Sequence, residues 1–234
     1  MAITHVQNIA LHSLSHFGGV AKWSLSHLNG VSVGFSDHFN DNTLDTANWD
    51  ATTPGAPFTY DALVTVSETS NQLQIAPRAS FASAAYNGYT SDNTYNLTDR
   101  YAQVEVVQAL NNNLGADQRF VLYLDSSNYI HIGLAQGGGV LQVTMRVRTA
   151  GVNSETTVAY NTTNHRFFRL RQSSSASELY FETALAGAGA WTIQRTVTTP
   201  SFAITALKVG IVAGTFASIA SPGTAIFDNF TSNL

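Results

Sequence analysis

The sequence has no cysteine. Disulfide staples and zinc–thiolate sites are therefore excluded. Charge is also scarce. Asp, Glu, Lys and Arg together make up 11% of the chain, against a usual share of about 25%. The solubilising surface must come mainly from Ser, Thr, Asn and Gln. The 11 basic residues are outnumbered by 15 acidic ones, for a net charge of −4. Such a balance offers no general attraction to a phosphate backbone, so no nucleic-acid partner is expected. No stretch approaches 18 consecutive apolar residues, and no membrane span is expected. The opening Met1-Ala2-Ile3-Thr4-His5-Val6 lacks a basic segment leading into an apolar run, which argues against a conventional signal peptide. An 11-residue amphipathic helical stripe is missing throughout.

What the sequence does contain is β pattern. Short alternating apolar runs recur between Gly, Asn and Ser turns from Phe35 to the end. Among them are Leu63–Ser67, Leu73–Ala76, Arg100–Gln108, Arg119–Leu124, Tyr129–Leu134, Val140–Val147, Leu179–Thr183, Leu207–Ala213 and Ala225–Thr231. Period-two alternation at these intervals indicates strands that each bury one face, stacked as two sheets. Tyr86-Asn87-Gly88-Tyr89 reads as a turn or rim, and Arg166–Arg171 as an edge-like or half-buried strand. A chain of 234 residues can bury roughly 70% of its unfolded surface.

The first 34 residues form a separate arm with an 11-residue repeat. Ser13-Leu14-Ser15-His16-Phe17-Gly18-Gly19-Val20 is echoed by Ser24-Leu25-Ser26-His27-Leu28-Asn29-Gly30-Val31, with a fainter copy from Ala2 to Ile9. Gly-Gly and Asn-Gly at equivalent points are hairpin-turn signals. Units this short cannot bury an apolar face alone. They pack on their own domain or on another chain, and assembly through Ile3, Leu14, Phe17, Val20, Leu25, Leu28 and Val31 is the sharper reading. His5, His16 and His27 recur at equal spacing but have no nearby carboxylates to complete a metal site.

Two other clusters are candidates for binding. Asp37, Asp41, Asn42 and Asp45, with Asp228 far along the chain, supply oxygens of the kind calcium prefers. Their spacing is not that of an EF-hand, and Asx residues are ordinary turn formers. No cofactor is expected, with calcium the one ion left open. Tyr86, Tyr89, Asn93 and Tyr95 combine aromatic faces with a polar partner, the composition of a sugar platform. The same aromatics would equally pack a loop onto the sandwich.

The opening Phe39-Asn40-Asp41-Asn42-Thr43-Leu44-Asp45, with Trp49, and the closing Phe227-Asp228-Asn229-Phe230 resemble the two ends of a concanavalin-A-like or laminin-G-like jelly roll. The resemblance covers residues 35–234 and implies an all-β, two-sheet antiparallel jelly-roll sandwich. The 11-residue repeat resembles short repeats beside such domains in phage structural proteins. Related glycoside hydrolases carry a Glu-x-Asp-x-x-Glu run on one strand, and this sequence has none. Glu105 stands alone, and Glu178 and Glu182 are four apart on a strand, about 13 Å, where glycoside hydrolysis needs about 5–9 Å.

The expected organisation is thus an assembly arm over 1–34 and a jelly-roll domain over 35–234. The expected function is a non-enzymatic structural protein of a phage virion or similar extracellular assembly, the arm docking to copies of itself or other structural proteins. The alternative is a carbohydrate-binding module that recognises surface glycans. A third reading is an enzyme whose site is dispersed along the chain.

Overall fold

The computed structural model describes residues 34–50, 55–111, 114–185 and 189–234, with the backbone of four two-residue strands ahead of them. Strands β1 (His16–Phe17) and β2 (Val20–Ala21) pair antiparallel, as do β3 (His27–Leu28) and β4 (Val31–Ser32). Phe17 is in register with Val20 and Leu28 with Val31, the pairing expected of two-residue hairpin turns. Ile3, Leu14 and Leu25 of the expected assembly set lie outside the described residues. So do the side chains of Phe17, Val20, Leu28 and Val31.

The remaining strands are β5 (Ser36–Asp37), β6 (Thr65–Glu68), β7 (Leu73–Ala76), β8 (Ala85–Thr90), β9 (Tyr101–Gln108), β10 (Ala116–Asp125), β11 (Asn128–Gly137), β12 (Val140–Thr149), β13 (Val152–Ala159), β14 (Phe167–Ser173), β15 (Glu178–Ala184), β16 (Thr192–Thr198), β17 (Lys208–Thr215) and β18 (Ala225–Ser232). They make two antiparallel sheets. One has the order β13-β12-β11-β10-β17-β8; the other runs β16-β15-β14-β9-β18-β7-β6, with β5 also on β18.

Alternation decides which side chains meet between the sheets. Phe120 and Leu122 of β10, Ile130 and Ile132 of β11, and Val143 and Met145 of β12 point inward and are buried. Phe168 and Leu170 of β14, with Phe181 of β15, meet them from the opposite sheet. Phe35, Trp49 and Phe230 pack ring against ring, with centroids 4.7–5.4 Å apart. This aromatic knot fastens the first strand of the sandwich to the last, where Asp37 is in register with Phe230.

Two local expectations are corrected. Tyr86-Asn87-Gly88-Tyr89 lies inside β8 and is not a turn. Gly88 is needed there because a Cβ would fall 2.1 Å from the Ile211 carbonyl oxygen of β17, so the glycine marks close backbone approach. Of the two readings of Arg166–Arg171, the half-buried one holds and the edge does not. Strand β14 sits between β9 and β15. Its arginines are tolerated because Glu182 accepts from Arg169 Nε at 2.6 Å and from Arg171 Nη2 at 2.8 Å. Glu105 likewise accepts from Arg166 Nε at 2.7 Å.

Candidate functional site: a cleft on the six-stranded sheet

The outward residues of the six-stranded sheet carry an unusual set of groups. Pairing aligns Val121, His131, Arg146 and Glu155 in one row across β10 to β13. The next row on one side holds Tyr123, Tyr129, Arg148 and Asn153; on the other lie Arg119, Gly133, Thr144 and Thr157. Asp117 begins a further row. Of these, Asp117, Arg119, Tyr129, His131, Thr144, Arg146, Arg148, Glu155 and Thr157 line a cleft of about 580 Å³, together with Pro57, Phe58 and Thr59 from one segment and Phe216 from another. Phe216 is 46% exposed.

The segment 55–61 forms one wall. Its backbone pairs with edge strand β8: Tyr86 N–H donates to the Thr59 carbonyl and Asp61 N–H to the Tyr86 carbonyl, both at 2.9 Å. Phe58 is thereby inserted between Tyr86 and Tyr129, its centroid 5.2 and 5.6 Å from theirs. Room for this comes from Gly214 on β17, where a Cβ would stand 2.5 Å from the Tyr86 ring.

Arg119 lies under that wall. Its guanidinium sits 4.2 Å from the Phe58 centroid and 5.2 Å from that of Tyr86, an attractive cation–π geometry. It pairs with Asp117 and donates to the Tyr86 hydroxyl at 3.3 Å. Burial opposes the Arg119 charge, but Asp117 together with the neighbouring tyrosines holds the guanidinium above its ordinary value. Burial, and then the negative charge of Asp117, push the Tyr86 hydroxyl up. Arg119 is therefore a cation and Tyr86 a neutral phenol at physiological pH. His131 is buried and stacked on Tyr129 at 5.8 Å. Burial, followed by Arg119 and Arg146, drives its pKa well below 6.5, so the imidazole is neutral.

The polar accounting singles out this face. Five buried side-chain N or O atoms among the described residues lack a hydrogen-bond partner, and three belong to the cleft: Asp117 Oδ1, His131 Nδ1 and Arg148 Nε. Buried polar groups in native proteins are nearly always paired, and exceptions mark strain or function. Here an acceptor, a neutral imidazole nitrogen and a donor lie just beneath one face of the sheet. That suits a ligand rich in hydroxyl groups.

The carboxylates of the cleft do not flank a single bond. Asp117 and Glu155 are three strands and four residues apart by register, about 20 Å along the sheet. Each is held by an arginine, Asp117 by Arg119 and Glu155 by Arg146.

The four residues proposed as a sugar platform fall in different surroundings. Tyr86 lines the cleft. Tyr89 points into the core and donates to Glu68 Oε1 at 2.8 Å. Tyr95 stacks on Phe35 at 5.0 Å, and Asn93 is exposed beyond the end of β8. The candidate calcium ligands are also engaged singly. Asp37 accepts from Phe39 N–H and Trp49 Nε1, Asp41 from Thr43 N–H, and Asp228 from Asn229 N–H. No group of three or more His, Asp or Glu side chains is arranged to hold a metal among the described residues. Sequence reasoning missed Asp117, Arg119, Tyr129, His131, Arg148 and Phe216. They come from separate runs, and only the strand register brings them together.

No family model matches the sequence, and no curated protein is similar to it. Solved structures do match. The "xylan beta-1,4-xylosidase from Bacillus Halodurans C-125" superposes with a TM-score of 0.58 at 12% identity, over 84% of this chain and 38% of that one. "Bacteroides ovatus Xyloglucan PUL GH43B" gives a TM-score of 0.59 at 16% identity, again over 84% of this chain and 38% of that one. A "Glycosyl hydrolase family protein from Mycobacterium fortuitum" gives 0.56 at 15% identity, over 85% of this chain and 98% of that one. This chain thus spans 38% of the first two and nearly all of the third.

At such identities the likeness shows the fold. The all-β, two-sheet arrangement is shared with part of the xylosidase chain and part of the GH43B chain, and corrects the concanavalin-A-like or laminin-G-like jelly-roll reading. The phage resemblance, the virion structural role and the placement in a virion or extracellular assembly are corrected with it. Those expectations rested on low charge and a short repeat, which constrain surface composition and say nothing about what a sheet face gathers. The expectation of a non-enzymatic chain is set aside too, because it tested only carboxylates within one strand. The fold is shared with chains described as a xylosidase and a glycosyl hydrolase.

Proposed function

We propose that this chain is a carbohydrate-active domain that takes a glycan into the cleft between Phe58 and Phe216. The observation that carries the reading is the trio of unpartnered buried groups on Asp117, His131 and Arg148. Sugars present hydroxyls that donate and accept, so successive residues of one glycan can meet both kinds of need. Phe216 supplies the exposed apolar face against which a sugar ring packs. Of the sugar-platform residues named from the sequence, Tyr86 belongs to this reading.

Cleavage of the bound glycan is the second reading. The likeness to chains described as a xylosidase and a glycosyl hydrolase favours it. Asp117 is its candidate proton-transfer group, as the cleft carboxylate with an unpartnered oxygen. One experiment tests both. The purified chain is titrated with soluble xylan, mixed-linkage glucan and mucin-type glycans, and reducing ends are followed in the same tubes. Binding that Phe216→Ala and Tyr86→Ala weaken at least tenfold supports the cleft, and reducing ends lost in Asp117→Asn add cleavage. Binding indifferent to both aromatic substitutions overturns the cleft reading.

A further inference from the structure

Charge in the cleft is not balanced. Arg119 is matched by Asp117, and Arg146 by Glu155 at 2.6 Å. Arg148, in the row next to Arg146, has no carboxylate within ion-pair distance among the described residues. Among those residues its hydrogen bond runs from Nη1 to the Asn153 side-chain oxygen at 3.0 Å, directly across the β12–β13 pair. Nε is left unsatisfied. Asp125, in the turn beyond this end of the sheet, is committed to its own turn, accepting from Ser127 N–H at 2.7 Å and Asn128 Nδ2 at 3.0 Å. Arg148 is thus a cation with no carboxylate partner among the described residues, set 6.0 Å from the Tyr129 ring centroid, in a cleft that belongs to a chain of net charge −4.

Resting on the glycan reading above, we propose that the cleft selects acidic glycans and that Arg148 anchors a carboxylate or sulfate on the sugar. The Nε–Nη2 edge of a guanidinium is the edge that grips a planar anion with two parallel hydrogen bonds. Nη1 is tied to Asn153 and Nε is buried without a partner, so Nη2 is the nitrogen left for an anion among the described residues. Nη2 faces Gly151, where a Cβ would still stand 3.8 Å away, so no side chain crowds that nitrogen from the turn. Binding there costs no internal ion pair among the described residues. At the other end of the cleft the lone acceptor Asp117 Oδ1 suits a sugar hydroxyl and repels an anion. The two ends therefore set the direction in which an acidic chain lies.

The test is affinity electrophoresis and calorimetry of the full chain with oligogalacturonate, a sulfated galactan, neutral xylan and mixed-linkage glucan. The carboxylated and sulfated arms distinguish the two sources of the anion. The expected result is at least tenfold tighter binding of one acidic arm than of either neutral glycan, weakened by salt. Arg148→Gln brings the affinities for acidic and neutral glycans together, whatever it does to neutral binding itself, and Arg148→Lys restores only part of the difference. Equal affinity for neutral and acidic glycans, or an acidic preference untouched by Arg148→Gln, overturns the inference and leaves the glycan reading standing. Binding to none of the four overturns both. Circular dichroism of each variant separates misfolding from lost recognition, and Arg148→Lys supplies the folded comparison if Arg148→Gln unfolds.

Discussion

Arg119 holds its guanidinium 4.2 Å from the centre of the Phe58 ring, so a side chain from segment 55–61 caps a buried cation of the sheet. The pair joins the wall of the cleft to its floor. Phe58→Ala removes the cap, exposes Arg119 to water and frees the wall. A desolvated cation–π contact contributes about 2 kcal/mol, and the lost packing of a half-buried ring adds to it. The expected loss is about 2–3 kcal/mol in urea denaturation, with weaker glycan binding. An unchanged urea midpoint would show that the wall is not fastened there.

Gly214→Ala tests the floor. The added methyl would stand 2.5 Å from the Tyr86 ring and 2.3 Å from the Ala85 carbonyl oxygen. The ring can turn aside but the backbone of β8 cannot, so the pairing of β8 with β17 must open. Overpacking of this kind costs about 1–3 kcal/mol. Lower thermal stability and lost affinity together are expected; full affinity in a destabilised variant would detach Tyr86 from binding.

Glu182 on the eight-stranded sheet is 2% exposed and accepts from both Arg169 and Arg171. Those hydrogen bonds outweigh the cost of burial and hold its carboxyl below the ordinary range. Glu182→Ala leaves two arginines facing each other across Trp191 and Tyr180, on whose rings they lie. Removing one partner of a buried ion pair costs about 3–5 kcal/mol, and the partial exposure of both arginines puts the expected loss near the lower figure, about 3 kcal/mol. Glycan binding to the opposite sheet should be unaffected in the fraction that folds.

Glu68 should make stability fall as pH rises. Burial, with Asp37 and Asp41 adding to it, pushes its carboxyl from 4.5 up to about 7. The folded chain therefore holds this proton more tightly than the unfolded chain does. The stabilisation is fully present below 4.5 and is lost as pH rises through about 7. His131 acts in the opposite sense. Its folded pKa is depressed below 6.5, so its contribution is present above that pH and is lost as pH falls through the folded value. Thermal melts from pH 4.5 to 8 on Glu68→Gln should lose the alkaline decline and exceed the parent at pH 8. An identical decline in the variant would assign it to another group.

Local pattern made much of the architecture legible. Alternation in Arg100–Gln108, Val140–Val147 and Ala225–Thr231 identified β9, β12 and β18, because a strand with one buried face must repeat every two residues. Gly-Gly and Asn-Gly announced the two amino-terminal hairpins. The same local logic misread Gly88 as a turn. A glycine demanded by a neighbouring strand looks no different from one demanded by a bend.

The sequence by itself determined that the chain is all-β, sparsely charged and free of thiol chemistry, since composition and period two act through nearest neighbours. Only the tertiary structure decided the cleft. Asp117, His131, Arg148 and Phe216 are scattered over 100 positions, and the register of four antiparallel strands and the reach of one loop bring them onto one face. Which side of a sheet a charged residue faces can be read locally, but which residues stand beside it depends on pairings between distant segments. The buried pairing of Arg119 with Asp117 and the unpaired state of Arg148 are consequences of those pairings, and the chemistry proposed for the cleft follows from them.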